Sequence, residues 1–282
     1  MLRKLLKHEW NATKKLLLPL NLSLIVITLI GCIILNTNIF NQESFFPLAI
    51  FLLIFYILSL VTLGMVSSIY LFVRFYKNLF TAEGYLMFTL PVSSLQLFHS
   101  KLLVGFFWSI INCLFTILSI FALGFSAAFH SFFEKGASDI TQFFQTGIVL
   151  GKGSEVISFQ SLFGFTPMQF LLLFIGMSFI GCFFSLNMGY VSVALGQLIQ
   201  QYKLACSIAF YIAFGIVTQI VSSILMILFN FNMLQSDTTN FTFTLGEIYQ
   251  KLFPASYGIS FFLGLLFYTI TVVIIRRKVN LD

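Results

Sequence analysis

The chain has 282 residues, of which 59% are apolar, 18% aromatic and only 9% charged, and its mean hydropathy is +1.00. No soluble core absorbs that much hydrocarbon, so the composition excludes water-soluble domains and points to an all-α integral membrane protein. The formal net charge of +6 is not gathered on one continuous face, which argues against a nucleic-acid partner.

Residues 1–15, MLRKLLKHEWNATKK, place Leu2, Leu5 and Leu6 near Trp10 on one helical face, with Arg3, Lys4, Lys7, Lys14 and Lys15 around the rest. That pattern predicts an amphipathic interfacial helix lying in the headgroup plane. The apolar run 16–35 follows. It exceeds a signal-peptide core and no small-residue cleavage site follows it, so it is expected to stay as the first span, with Pro19 in its first turn. After a polar link, the second span covers 45–73. Its 29 residues, at ~1.5 Å each, outreach a ~30 Å hydrocarbon core and must tilt or protrude.

Residues 74–101, RFYKNLFTAEGYLMFTLPVSSLQLFHSK, form a polar-ended hairpin between two long apolar runs. It carries the cations Arg74, Lys77 and Lys101, the carboxylate Glu83 beside Gly84, and the apolar strip Tyr85, Leu86, Met87 and Phe88. With lipid-suited sequence on both sides, it reads as a docking surface for a separate soluble subunit. Ser93 and Gln96 match a capping box after Pro91, which starts the third helix just before Leu97. The third span is 102–129.

Within the long piece 130–167, Ile140, Phe143, Phe144 and Ile148 keep helical spacing, which predicts a surface helix. The fourth span, 168–195, ends in the turn GQLIQQYK, and the fifth is 204–229. Thr244 and Glu247 form a second capping box. Leu245, Ile248, Tyr249 and Leu252 then repeat at helical spacing until Pro254, predicting a short outer helix before the sixth span, 257–275. Arg276, Arg277 and Lys278 close the last segment.

With the N-terminus in the cytosol, twelve of the fifteen lysines and arginines fall on the inner side and six of the nine carboxylates on the outer. This asymmetry predicts six spans with both termini cytoplasmic, and puts the 74–101 hairpin inside. The whole chain then forms one transmembrane domain, 1–282.

No Asp, Glu, Lys, Arg or His lies well inside any expected span, so a proton-coupled carrier, a voltage sensor or an intramembrane enzyme lacks its chemistry. His8 and Glu9 begin HEWNA, but Ala12 stands where a metalloprotease needs its second histidine. GIVLGKGS, 147–154, is one residue short of a phosphate loop between its glycines, and Gly153 replaces the hydroxyl residue. No catalytic, metal or cofactor residue is therefore assigned to this chain. Cys32, Cys113, Cys182 and Cys206 all fall in apolar runs and read as small hydrophobes. Asn112, Asn187 and Gln219, with the small pairs Gly64/Ser68 and Ser185/Gly189, read as helix-to-helix contacts rather than as a substrate pathway.

The segment KNLFTAEGYLMFTLPVSSLQLFHSKLL, 77–103, resembles the hairpin of ATP-binding-cassette type-2 export permeases of low-GC Gram-positive bacteria, in which forms close to EGYLTFTLPVS followed by SK recur. The match covers under a tenth of the chain. The basic N-terminus, six spans and outer helix resemble the ABCG-like, type V architecture. The resemblance implies that Lys77, Asn78, Phe80, Thr81, Glu83, Gly84 and Tyr85 form a coupling helix seated in a cleft of a separate cytosolic ATPase dimer, which holds the ATP and Mg. It also implies that two such subunits, identical or not, pair in a bacterial plasma membrane and export an amphipathic or hydrophobic substrate, such as an antimicrobial peptide or a lipid-like molecule. The alternative is a structural or regulatory membrane subunit that conducts nothing.

Overall fold

In hydrocarbon a backbone must satisfy its own hydrogen bonds, so runs rich in Ile, Val and Phe become helices despite their strand propensity in water. The computed structural model describes residues 2–36, 46–81, 92–124, 148–149, 156–157, 160, 163–199, 201–230 and 241–277. Its helices are α1 (Leu2–Asn36), α2 (Phe46–Phe80), α3 (Ser94–Gly124), α4 (Pro167–Gly196), α5 (Lys203–Asn230) and α6 (Phe241–Arg277). All six are long and apolar enough to cross a membrane. The 35 residues of α2 give about 52 Å, well beyond the ~30 Å hydrocarbon core. Two short strands, β1 (Ile148–Val149) and β2 (Val156–Ile157), pair antiparallel between α3 and α4.

Three expectations are corrected. The N-terminal amphipathic segment is not a separate in-plane helix, because α1 runs unbroken from Leu2 through Pro19 to Asn36. Its Leu5 and Leu6 pack on the protein core, and Glu9 is buried, so this face is held by protein rather than by headgroups. The outer helix does not stop at Pro254, since α6 passes through it. The proline removes one ladder donor, but Phe165 and Phe170 pack on Phe253, and Tyr249 stacks on Phe253 at 5.7 Å. Gln250 Nε2 also donates to the Gly164 carbonyl at 3.2 Å, at a turn whose φ of 73° suits glycine. With the Tyr257 hydroxyl donating to the Leu173 carbonyl just after the proline, tertiary contacts on both sides of it hold the helix together. Finally, Ile148, expected to end a surface helix, is in β1, while 125–147 lie outside the described residues.

One expected capping signal works locally, whereas Thr244, expected with Glu247 to start the outer helix, lies inside α6, which begins at Phe241. Gln96 N donates to Ser93 Oγ at 3.3 Å one residue before α3 begins, and Thr166 with Gln169 forms a complete box at the start of α4, a signal the sequence reading passed over. The third span therefore starts at Ser94, earlier than expected, and α2 and α3 carry helix into both ends of the 74–101 hairpin.

Contacts between helices fix the topology. Glu9 meets Lys101, Asn21 meets Asn112 and Thr28 meets Ser119, so α1 and α3 are parallel. Arg74 reaching Glu9 and Tyr56 reaching Ser119 make α2 antiparallel to both. Tyr190 of α4 reaches the Lys101 carbonyl, and Tyr268 of α6 reaches His99. The start of α1 and the end of α6 therefore lie at the same end of the bundle. The core also gathers there, around Phe75, Leu79, Leu97, Phe98, Tyr190 and Ile275. On α5 the residues Ile208, Ile212, Ile216, Ile220, Ile224 and Ile227 are all exposed, an apolar stripe at helical spacing that suits lipid.

Glycines set two of the seams. A Cβ on Gly189 would stand 2.1 Å from the Phe72 ring, so this half of the Ser185/Gly189 pair is a true close approach. Gly64 has no atom near a Cβ position, so the Gly64/Ser68 pair does not bring helices together. Cys113 and Cys182 line one apolar groove between α3 and α4. Mild oxidation of membranes is expected to join them in a disulfide that reduction reverses and Cys113→Ser abolishes. Failure to cross-link in the native protein would place these two helices in a different register.

Candidate functional site: a buried charge cluster at the root of the hairpin

The residues buried along α1 are Glu9, Thr13, Leu17, Asn21, Leu24 and Thr28, spaced at three or four and hence one stripe. The stripe is mixed: four polar residues share it with Leu17 and Leu24, while Leu16, Leu18, Leu22 and Leu29 stay exposed. The facing stripe on α3 is Lys101, Trp108, Asn112 and Ser119, all buried. The two meet rung by rung. Lys101 Nζ ion-pairs with Glu9 Oε1, and Trp108 Nε1 donates to Thr13 Oγ1 at 2.9 Å. Asn21 Nδ2 donates to Asn112 Oδ1 at 2.7 Å, and the Thr28 and Ser119 hydroxyls share a hydrogen bond at 2.7 Å. Thr13 and Thr28 also bond back to the carbonyls of Glu9 and Leu24, which satisfies them within the helix.

Glu9 is the hub. Its side chain is 7% exposed, with Arg74 at 20% and Lys101 at 4%. Arg74 Nε donates to Oε2 at 2.8 Å, and Asn78 Nδ2 approaches Oε1 at 3.3 Å. One carboxylate thus ties the first helix to the end of the second and the start of the third. Aromatic groups seal the cluster. Trp10 stacks on Trp108 with centroids 4.9 Å apart, Tyr190 stacks on Phe75 at 4.2 Å, and the Tyr190 hydroxyl donates to the Lys101 carbonyl at 3.3 Å. Low-dielectric surroundings strengthen the pairing but make any missing partner expensive.

The cavity beside the cluster is about 10 Å³, room for one water at most. The arrangement is a packed fastener between three helices. Among the described residues no group of three or more His, Cys, Asp or Glu is placed to hold a metal ion.

The expected coupling residues divide. Asn78 turns inward to Glu9, and Phe80 packs edge-on against Phe75 at 5.8 Å. Lys77 is exposed, and Thr81 is half-buried with its hydroxyl donating to the Lys77 carbonyl. Glu83, Gly84 and Tyr85 lie outside the described residues. The structure adds Glu9, which the sequence reading met only in rejecting HEWNA, and turns Arg74 and Lys101, read as cations of the docking hairpin, inward to it. A signal was present: Glu9 is the lone carboxylate among five cations in residues 1–15, on the same helical stripe as Thr13, Asn21 and Thr28.

No family model, no curated protein and no solved structure matches the chain. The class defined by fold and site is therefore that of a multi-pass helical membrane protein, fastened at one end by a buried charge cluster.

Proposed function

We propose that this chain is the permease subunit of an ATP-binding-cassette exporter in a bacterial plasma membrane, moving an amphipathic or hydrophobic substrate with energy supplied by a separate cytosolic ATPase. The observation that carries this reading is the Glu9–Arg74–Lys101 cluster, which fuses α1, α2 and α3 at the base of the 77–103 segment that resembles export permeases. A hairpin that must transmit force needs a stiff root, because a soft one would absorb the displacement before it reached the spans. The exposed Lys77 and the buried Asn78, one residue apart, suit a surface facing a partner on one side and anchored on the other. The positive-inside asymmetry puts this end in the cytosol. No ionisable side chain lies midway along the spans to couple transport to an ion gradient, which fits an external motor.

Substrate passage is assigned to the interface between two such subunits. Glu83→Lys is expected to leave membrane insertion and thermal stability intact while uncoupling ATP hydrolysis by the purified complex from export into vesicles. Normal export by this variant would remove the hairpin from the mechanism. Mild detergent extraction is expected to bring down an ATPase of about 25–35 kDa, the size of one such domain. Transport by the chain in liposomes with no second polypeptide and no ATP would refute the proposal.

A further inference from the structure

Away from the charge cluster, α5 and α6 diverge over a cavity of about 360 Å³ floored by Phe184 of α4. Its size falls in the range of small-ligand sites. Polar groups reach it from both walls: Gln219 and Ser222 from α5, Ser256 and Ser260 from α6. The rest of the lining is mostly apolar, with Leu225 and Leu263 among it, and none of the described lining residues is charged.

We propose that this cavity is a binding site for an uncharged, hydroxylated single-chain lipid of the monoacylglycerol type, entering between α5 and α6. The chemistry follows from what the walls offer. The Ser222 and Ser256 hydroxyls already donate to the Thr218 and Phe253 carbonyls, at 2.9 and 2.8 Å, so their oxygens are left to accept. A ligand head that donates, as a glycerol hydroxyl does, therefore suits these two serines. Gln219 is exposed on the surface of α5, and its carboxamide both donates and accepts, which suits a diol. A phosphate, carboxylate or ammonium head finds no countercharge in the lining, and an unpaired charge in such surroundings is strongly disfavoured. The apolar floor takes the chain. The site does not rest on the exporter reading, because binding requires neither ATPase nor transport.

The test uses the purified full chain in phosphatidylcholine nanodiscs with a photoreactive monoacylglycerol. The expected result is labelling concentrated on peptides covering 218–226 and 249–263, displaced by unlabelled monoacylglycerol but not by excess phosphatidylcholine or a free fatty acid. Gln219→Leu and Ser256→Phe should each lower labelling roughly tenfold with the thermal midpoint unchanged for Gln219→Leu. Ile212→Phe, elsewhere on the exposed face of α5, should change nothing. Labelling spread over all six helices, equal displacement by phosphatidylcholine or fatty acid, or full labelling of the folded Gln219→Leu variant would each overturn the proposal.

Discussion

Glu9→Gln is expected to be among the most damaging single substitutions in the chain. It leaves Arg74 and Lys101, 20% and 4% exposed, without the carboxylate that both contact, and removing one partner of a buried pair costs about 3–5 kcal/mol. Thermal unfolding in detergent should show a fall of roughly 10 °C at that cost. Added salt should not mimic the effect, because a buried pair is poorly screened. Adding Lys101→Met to Glu9→Gln should restore part of the loss, since it removes one of the two buried cations that faced the lost carboxylate. A Glu9→Gln protein that melts like the parent would mean that the carboxylate is not paired in the membrane.

Gly196→Ala is expected to open the seam between α4 and α5. The new methyl would stand 2.0 Å from Ser207 Oγ, 2.6 Å from its backbone nitrogen and 2.7 Å from its Cα. A side chain can rotate away, but a backbone cannot, so the helices must part. The penalty should reach about 3 kcal/mol, the upper part of the overpacking range. Faster cleavage by protease in the 196–203 turn, with a lower thermal midpoint, is the readout. Gly189→Ala supplies the contrast. The three atoms nearest its methyl all belong to the Phe72 ring, the first at 2.1 Å, so Phe72→Ala should suppress that variant, whereas Ser207→Gly should leave most of the Gly196→Ala defect in place. Equal rescue in both cases would show that the α4–α5 contact is softer than the backbone geometry requires.

The spans were legible because each is an apolar run that reports itself locally, and the ends of α4 and α5 fall within a residue of the expected ones. The start of α3 was legible in Ser93 and Gln96 because a cap is local chemistry. What could not be read was set at a distance. Arg74 lies 65 residues from Glu9, and Lys101 lies 92, so a reading in short windows assigns all three to solvent. Pro254 was taken as a stop because its missing donor is visible in the sequence, while the contacts of Phe253 with Phe165 and Phe170 that hold α6 beside it come from a distant stretch of chain. Asn112 was legible as a helix-to-helix contact, but its partner Asn21 was passed over, and only the parallel pairing of α1 and α3 brings the two to 2.7 Å.

That pairing limits how the bundle can move. Four unlike rungs, an ion pair, an indole to a hydroxyl, two amides and two hydroxyls, work like a key cut to one depth: sliding either helix by a single turn mismatches every one of them together. The first and third helices must therefore travel as one piston, and any rocking that opens a path has to be taken up where α5 leans away from α6.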